Sequence, residues 1–169
     1  ADAHLLARVD PPATLADALP IAAELQALAP EVELEIAVAG NAHEWVLDLV
    51  RRVYPAFTPS VRKLRLPLIS AIRQALTGKD ELPRLISLLG HIGYFRSFDA
   101  IVVPERTTTI IRHLLSPRTR LIFTPHGAGD RAVTFDKRDR FFDFALVAGE
   151  KSERMMLEAR TITPGRYAV

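Results

Sequence analysis

The sequence predicts a doubly wound α/β domain, with a mainly parallel sheet and helices on both of its faces. Short β-like runs alternate with helix-like stretches along the 169 residues, an order typical of parallel sheets. The later runs, such as Asp99–Val103 and Leu121–Thr124, are continuously apolar, as strands covered on both faces are. Apolar residues make up 49% of the chain and charged residues 25%, the balance of an ordinary folded domain.

The first part of the chain contains three predicted strands and two predicted helices. Leu5–Val9 is a short strand that ends at the turn signal Asp10-Pro11-Pro12. An Ala- and Leu-rich helix covers Leu15–Ala29, and Pro20 indicates either a helix start near Ala18 or a kink. The remaining elements are an alternating strand over Val32–Val38, a helix over Ala42–Val53 and a polar strand over Val61–Leu66.

The rest of the chain continues the same alternation. Helices are predicted over Leu68–Leu76, Leu82–Phe95, Thr107–Leu115 and Ser152–Ala159. Strands are predicted over Asp99–Val103, Leu121–Thr124, Phe144–Val147 and Tyr167–Val169. Because parallel sheets bind ligands beyond the carboxyl ends of their strands, we expect the site in the loops after Val9, Val38, Val103, Thr124 and Val147.

Composition excludes several classes of chemistry. The chain has no cysteine, which excludes disulfides, thiolate catalysis and cysteine metal sites. No apolar run approaches the ~20 residues that a membrane-spanning helix needs. The start of the sequence lacks a basic region followed by an apolar core, so we expect a cytoplasmic protein.

Charge is distributed unevenly along the chain. Residues 1–50 carry one base and nine acids, whereas the rest carries 21 bases and 11 acids. Arg51–Gly78 contains six bases and no acid, a field that attracts anions, although a solvated basic face without a ligand gives the same pattern. Leucines and isoleucines interleave these bases, which suits either an anionic membrane surface or an ordinary core face. We expect no nucleic-acid partner.

The strongest candidate for chemistry is Thr124–Asp130, which follows a predicted buried strand. His126 would lie at the carboxyl edge of the sheet, where an imidazole can act as a general base on a hydroxyl. Gly127 and Gly129 allow a sharp turn close to a ligand, and Asp130 could orient the imidazole or a substrate hydroxyl. The alternative is a turn in which the histidine caps local backbone.

Two further loops supply candidates of second rank. Glu105 follows the preceding strand and could contact substrate, while Thr107 is expected to cap the helix that begins there. Lys151 could meet a phosphate, although a simple turn at Gly149 with Ser152 as the helix cap explains that loop as well.

Other known motifs are absent from the sequence. Gly127-Ala128-Gly129 lacks the third glycine of the dinucleotide-binding motif, and there is no Gly-rich phosphate loop that ends in Gly-Lys-Ser/Thr. No histidine pair has the spacing of a zinc helix, so we expect no metal and no cofactor. The segment with Asp136, Asp139 and Asp143, where acids alternate with bases, is interpreted as a solvated charged surface.

The residues around His126 resemble CDP-glycerol glycerophosphotransferase-like enzymes and, more broadly, GT-B glycosyltransferases. The family pattern begins with a buried strand that ends in a His-Gly pair, which matches Leu121–Gly127 here. A Phe-Asp-Phe strand follows, which matches Phe142–Val147. A turn of small residues then leads into a helix, which matches Ala148–Ser152. The resemblance covers about the last 70 residues. Many members continue with Thr-Pro-Leu-Lys, whereas this chain has Ala128-Gly129-Asp130-Arg131, which leaves the donor and the acceptor open.

The resemblance implies two Rossmann-like domains with the active site between them. Residues 1–169 would be the amino-terminal, acceptor-side domain of a longer chain, and a carboxyl-terminal domain would hold the nucleotide-activated donor. His126 would then remove the proton of the acceptor hydroxyl as a glycosyl or glycerol-phosphate group is transferred, in a cell-envelope type of synthesis at the inner membrane face. The alternatives are a nucleotide-sugar epimerase of the same architecture and a non-catalytic anion-binding module.

Overall fold

The computed structural model describes residues 4–9, 12–38, 44–64, 88–124 and 136–169, and it shows a seven-stranded sheet. The strands are β1 (His4–Val9), β2 (Glu33–Val38), β3 (Ser60–Lys63), β4 (Ala100–Val103), β5 (Arg120–Phe123), β6 (Phe144–Leu146) and β7 (Tyr167–Ala168). Their spatial order is β3-β2-β1-β4-β5-β6-β7, and every pairing is parallel. This is the order of a Rossmann-like, doubly wound α/β fold, so the predicted fold class is confirmed.

Helices connect the strands. The α-helices are α1 (Pro12–Leu28), α2 (Glu44–Val53), α3 (Ile92–Phe95) and α4 (Glu150–Glu158). Two 3₁₀ helices are η1 (Arg106–Leu114) and η2 (Lys137–Phe141). Pro20 lies inside α1, so a helix start near Ala18 is wrong. The predicted helix over 68–76 and the first part of that over 82–95 lie outside the described residues.

Apolar side chains form two clusters on opposite faces of the sheet. Because alternate residues of a strand point to opposite faces, Ile36 and Ala37 of β2 belong to different clusters. One cluster joins β2 to α1 and α2 through Leu19 and Val50. The other joins the sheet to α3, η1 and α4 through Phe95, Ile111 and Met156. Helices therefore cover both faces, as predicted. Among the described residues, no helix is long and apolar enough to cross a bilayer.

The strand order reverses at β1, which pairs with β2 on one side and with β4 on the other. Connections leave the carboxyl ends of these neighbouring strands in opposite directions, and the crevice between them is the usual ligand position in open parallel sheets. The backbone amide of Thr124 donates to the Val103 carbonyl at 3.0 Å, so the chain leaves β4 and β5 side by side. The carboxyl ends of β4 and β5 are therefore neighbours at this edge.

Candidate functional site

The structure describes two of the six predicted site residues, Glu105 after β4 and Lys151 in the first turn of α4. His126, Gly127, Gly129 and Asp130 lie in residues 125–135, outside the described residues, and their roles stay predictions.

Glu105 is half-buried at the carboxyl end of β4, in extended backbone with φ −121° and ψ 137°. It is the residue before η1, but its side chain does not cap that helix. The Thr107 hydroxyl donates to Glu105 Oε2 at 3.3 Å. Thr107 as a helix cap is therefore wrong, because its hydroxyl binds the carboxylate and the residue lies inside the first turn. One oxygen of Glu105 is thus held by the loop that carries it.

Arg106 is anchored more firmly than its neighbour. Its Nε donates to Asp139 Oδ1 at 2.6 Å and its Nη2 to Oδ2 at 3.2 Å, a two-point contact between planar groups. The guanidinium carbon lies 5.1 Å from the ring centroid of Phe123, and that ring stacks on Phe142 at 4.7 Å. The Thr109 hydroxyl donates to the Arg106 carbonyl at 2.7 Å, which holds the backbone as well.

Asp139 belongs to the interior, since its side chain is only 1% exposed. Burial raises the pKa of the Asp139 carboxyl, and the hydrogen bonds from Arg106 oppose that rise. The solvated charged surface predicted for this segment is therefore wrong at Asp139. No local sequence pattern marks Asp139 as buried, because its partner Arg106 lies 33 residues earlier in the chain.

Asp143 is also engaged, although it was predicted to be solvated. Its carboxylate accepts the backbone amide of Leu121 at 2.8 Å and Arg112 Nη2 at 3.0 Å. Asp136, by contrast, caps η2 and pairs with exposed Arg138 at 2.6 Å, which lowers the pKa of Asp136 to about 2. In the described ranges, no group of three or more acids or histidines could hold a metal ion.

The turn before α4 is made by Gly149, with φ +151° and ψ 168°, a conformation open to glycine alone at little cost. This confirms the predicted tight turn. Ser152 as the helix cap is wrong, because Gly149 occupies the cap position and Ser152 lies in the first turn. Lys151 is exposed there between Glu150 and Glu153, whose charges already complement the helix dipole. The electrostatic attraction for an anion at this turn is therefore weaker than the sequence predicted.

Part of the predicted basic surface makes contacts within the protein. Arg51 pairs with Asp48 at 3.5 Å, and the Arg62 guanidinium lies 4.5 Å from the ring centroid of Tyr94. Burial, together with the nearby Glu35 carboxylate, raises the pKa of Tyr94. Residues 65–78 of this surface lie outside the described residues, so the membrane contact stays a prediction.

The sequence matches no protein-family model and no curated protein. Among solved structures, the fold is similar to HepE of Anabaena, crystallised in complex with UDP and glucose. The match has a TM-score of 0.56 and 11% sequence identity, and it covers 99% of this chain and 43% of that chain. At this identity the likeness shows the fold.

Proposed function

We propose that this chain is the acceptor-side domain of a GT-B-type transferase, which moves a glycosyl group from a nucleotide-activated donor to an acceptor hydroxyl. The observation that supports this most is the fold likeness over 99% of the chain to 43% of a protein that binds UDP and glucose. A match of that extent is expected if this chain is one of the two domains of such an enzyme. The other domain would then bind most of the donor. Glycerol-phosphate transfer is the second reaction that the family resemblance implies.

The chemistry of the proposal runs through the predicted residues at the carboxyl edge. His126 accepts the proton of the acceptor hydroxyl while the new C–O bond forms, and the nucleotide phosphate leaves with the electron pair of the broken bond. Gly127 and Gly129 let the backbone approach the acceptor, and Asp130 orients the imidazole or a hydroxyl. Negative charge on the leaving phosphate is stabilised by cationic side chains and helix amino termini, with Lys151 as one candidate.

The described neighbourhood supports this arrangement at one point. Because the Thr124 amide is hydrogen-bonded to the Val103 carbonyl, the ends of β5 and β4 lie side by side, and His126 and Glu105 each follow one of these ends within three residues in the sequence. Glu105 is half-buried at the end of β4, where its Oε2 accepts from the Thr107 hydroxyl, and this carboxylate is a candidate for orienting a substrate hydroxyl.

The test uses the full-length protein that contains this sequence. We expect calorimetry to detect binding of UDP-glucose or of another nucleotide-activated donor, and we expect transfer to a hydroxyl acceptor by chromatography. His126→Ala should abolish transfer and leave donor binding and circular dichroism unchanged. His113→Ala is the control, since His113 is exposed on η1, where it contacts Phe141.

Full activity of His126→Ala would refute the role of that residue. Conversion of the donor to an epimer, without transfer, would favour the epimerase. Absence of binding to any nucleotide-activated donor would refute the transferase and leave an anion-binding module.

A further inference from the structure

A pocket lies at the amino ends of β6 and β7. It has a volume of about 260 Å³, part of which is open to solvent. Arg140 of η2 is among the residues that line it, together with Thr163 and Arg166, which precede β7. Neither Glu105 nor Lys151, the two described candidate residues, lines this pocket. The described part of the chain therefore offers a second position for a ligand.

A tight turn presents two of the lining residues. The Arg166 amide donates to the Thr163 carbonyl at 3.0 Å, which closes a four-residue turn with Pro164 and Gly165 in the middle. Gly165 has φ +80°, the conformation that the third residue of a type II turn requires. The Arg166 carbonyl also accepts from the Ala145 amide at 3.0 Å. The backbone that carries the Thr163 and Arg166 side chains is thus held in place beside β6.

The pocket has a surplus of positive charge. Among the described residues, the Arg166 guanidinium makes no hydrogen bond or ion pair, and the Arg140 guanidinium lies over the ring of Phe141, 5.0 Å from its centroid. Asp139 is the one acid in the lining, and Arg106 already binds its carboxylate at two points. Two cationic side chains therefore lack an acidic partner, and a concave surface concentrates their field on an anion.

A hydroxyl and an apolar wall complete the lining. Thr163 is exposed, and its hydroxyl has no partner in the described ranges, so it can donate to a ligand. The buried Thr161 hydroxyl is engaged, since it donates to the Met156 carbonyl at 3.2 Å. Half-buried Phe144 and buried Ile162 supply apolar surface. Cationic and hydroxyl donors beside an apolar wall suit a phosphate group that is attached to an organic body.

We propose that this pocket binds a small phosphate ester, with its phosphate held by Arg140, Arg166 and the Thr163 hydroxyl and its organic part against Phe144. The planar guanidinium group makes paired hydrogen bonds to phosphate oxygens, which favours arginine at such sites. The volume of about 260 Å³ lies just below the range of about 300–1,000 Å³ for ligand pockets, so it suits a sugar phosphate better than a whole nucleotide-activated donor. Binding here does not depend on the proposed function.

The experiment titrates the full-length protein that contains this sequence with ribose 5-phosphate, inorganic phosphate and ribose. Calorimetry measures the affinity for each compound, and hydrogen exchange at residues 142–147 and 161–168 locates the binding. Arg166→Gln and Arg140→Gln each remove one charge and keep a long polar side chain. Arg154→Gln is the matched control, because Arg154 is exposed on α4 and does not line the pocket.

We expect ribose 5-phosphate to bind more tightly than inorganic phosphate and to slow exchange in both segments, whereas ribose should not bind. Arg166→Gln and Arg140→Gln should each weaken ribose 5-phosphate by about tenfold or more, because each removes charged hydrogen-bond donors to the phosphate. Their melting temperatures should equal that of the wild type, since neither guanidinium has an ion-pair partner among the described residues. Arg154→Gln should bind like the wild type.

If neither phosphate compound binds, the proposal is wrong. Binding without slower exchange in the two segments would place the site elsewhere and overturn it. An equal loss of affinity in Arg154→Gln would show attraction by net charge alone, which also overturns it. Equal affinity for ribose 5-phosphate and inorganic phosphate would refute the role of the apolar wall. None of these results depends on group transfer, so failure of this proposal and failure of the proposed function are distinguishable.

Discussion

Replacing Asp139 with asparagine tests how much the buried ion pair contributes to folding. Asparagine has nearly the same shape, so one oxygen still accepts from Arg106 Nε, while its amide N–H groups face the donor Nη2. Breaking a buried pair by removing one partner costs about 3–5 kcal/mol. Because one hydrogen bond is retained, we expect the lower end, about 3 kcal/mol, which corresponds to a fall of about 6–12 °C in Tm for a domain of this size.

Urea denaturation followed by circular dichroism measures this loss, and Asp136→Asn is the control. Asp136 also pairs with an arginine, but the pair is more exposed, so its loss should cost less than about 1 kcal/mol. The two variants remove the same charge from the same helix. If Asp139→Asn lowers the free energy of unfolding no more than the control does, burial of the Arg106–Asp139 pair does not increase its contribution to stability, and the prediction is wrong.

Three further predictions concern local features. The pKa of Asp136 is lowered from 3.8 to about 2, so its ion pair stabilises the fold above pH 3.8 and the advantage of wild type over Asp136→Asn should vanish as the pH falls to about 2. Gly149→Ala should lose about 1–3 kcal/mol in urea denaturation, because alanine is strained at φ +151°. Thr124→Val should raise stability by about 1 kcal/mol or more, since the buried Thr124 hydroxyl has no hydrogen-bond partner among the described residues.

Each of these three predictions has a control variant or an outcome that would contradict it. A stability difference that stays constant from pH 6 to pH 2 would contradict the ion pair of Asp136. Gly93→Ala, in α3 with open space around an added Cβ, should be neutral or stabilising by about 0.5–1 kcal/mol. Thr119→Val should instead lose about 1–3 kcal/mol, because the hydroxyl of buried Thr119 donates to a carbonyl at 2.8 Å. Equal effects of the two Thr→Val changes would refute the argument.

The strands of the sheet could be predicted from the sequence, because parallel strands buried on both faces are continuously apolar and this pattern is local in the chain. The apolar runs predicted at 99–103, 121–124 and 144–147 differ from the observed strands by one residue at each shifted end. The polar strand was predicted at 61–66. In the described residues, which reach 64 here, it covers 60–63.

The site was harder to predict, for two physical reasons. The partners of Asp139 and Asp143 stand 33 and 31 residues away, so no local pattern distinguishes these carboxylates from solvated ones. Thr107 and Ser152 are residue types that favour caps, but their helices begin earlier, with Glu105 and Gly149 in the cap positions. Residue type predicts that a cap is near, whereas the backbone decides which residue takes it.

The position of β1 between β2 and β4 also affects the order in which the chain can fold. Leu5 pairs with Leu34 on one side and with Ala100 on the other, a partner that the ribosome adds about 95 residues later. The three-stranded part formed by β1, β2 and β3 can assemble during synthesis, with β1 as an open edge. Closing the β1–β4 junction depends on a contact between distant parts of the chain, which is slow to form. The crevice between β1 and β4 can consequently form only after β4 has been synthesised, when three of the seven strands are already able to pair.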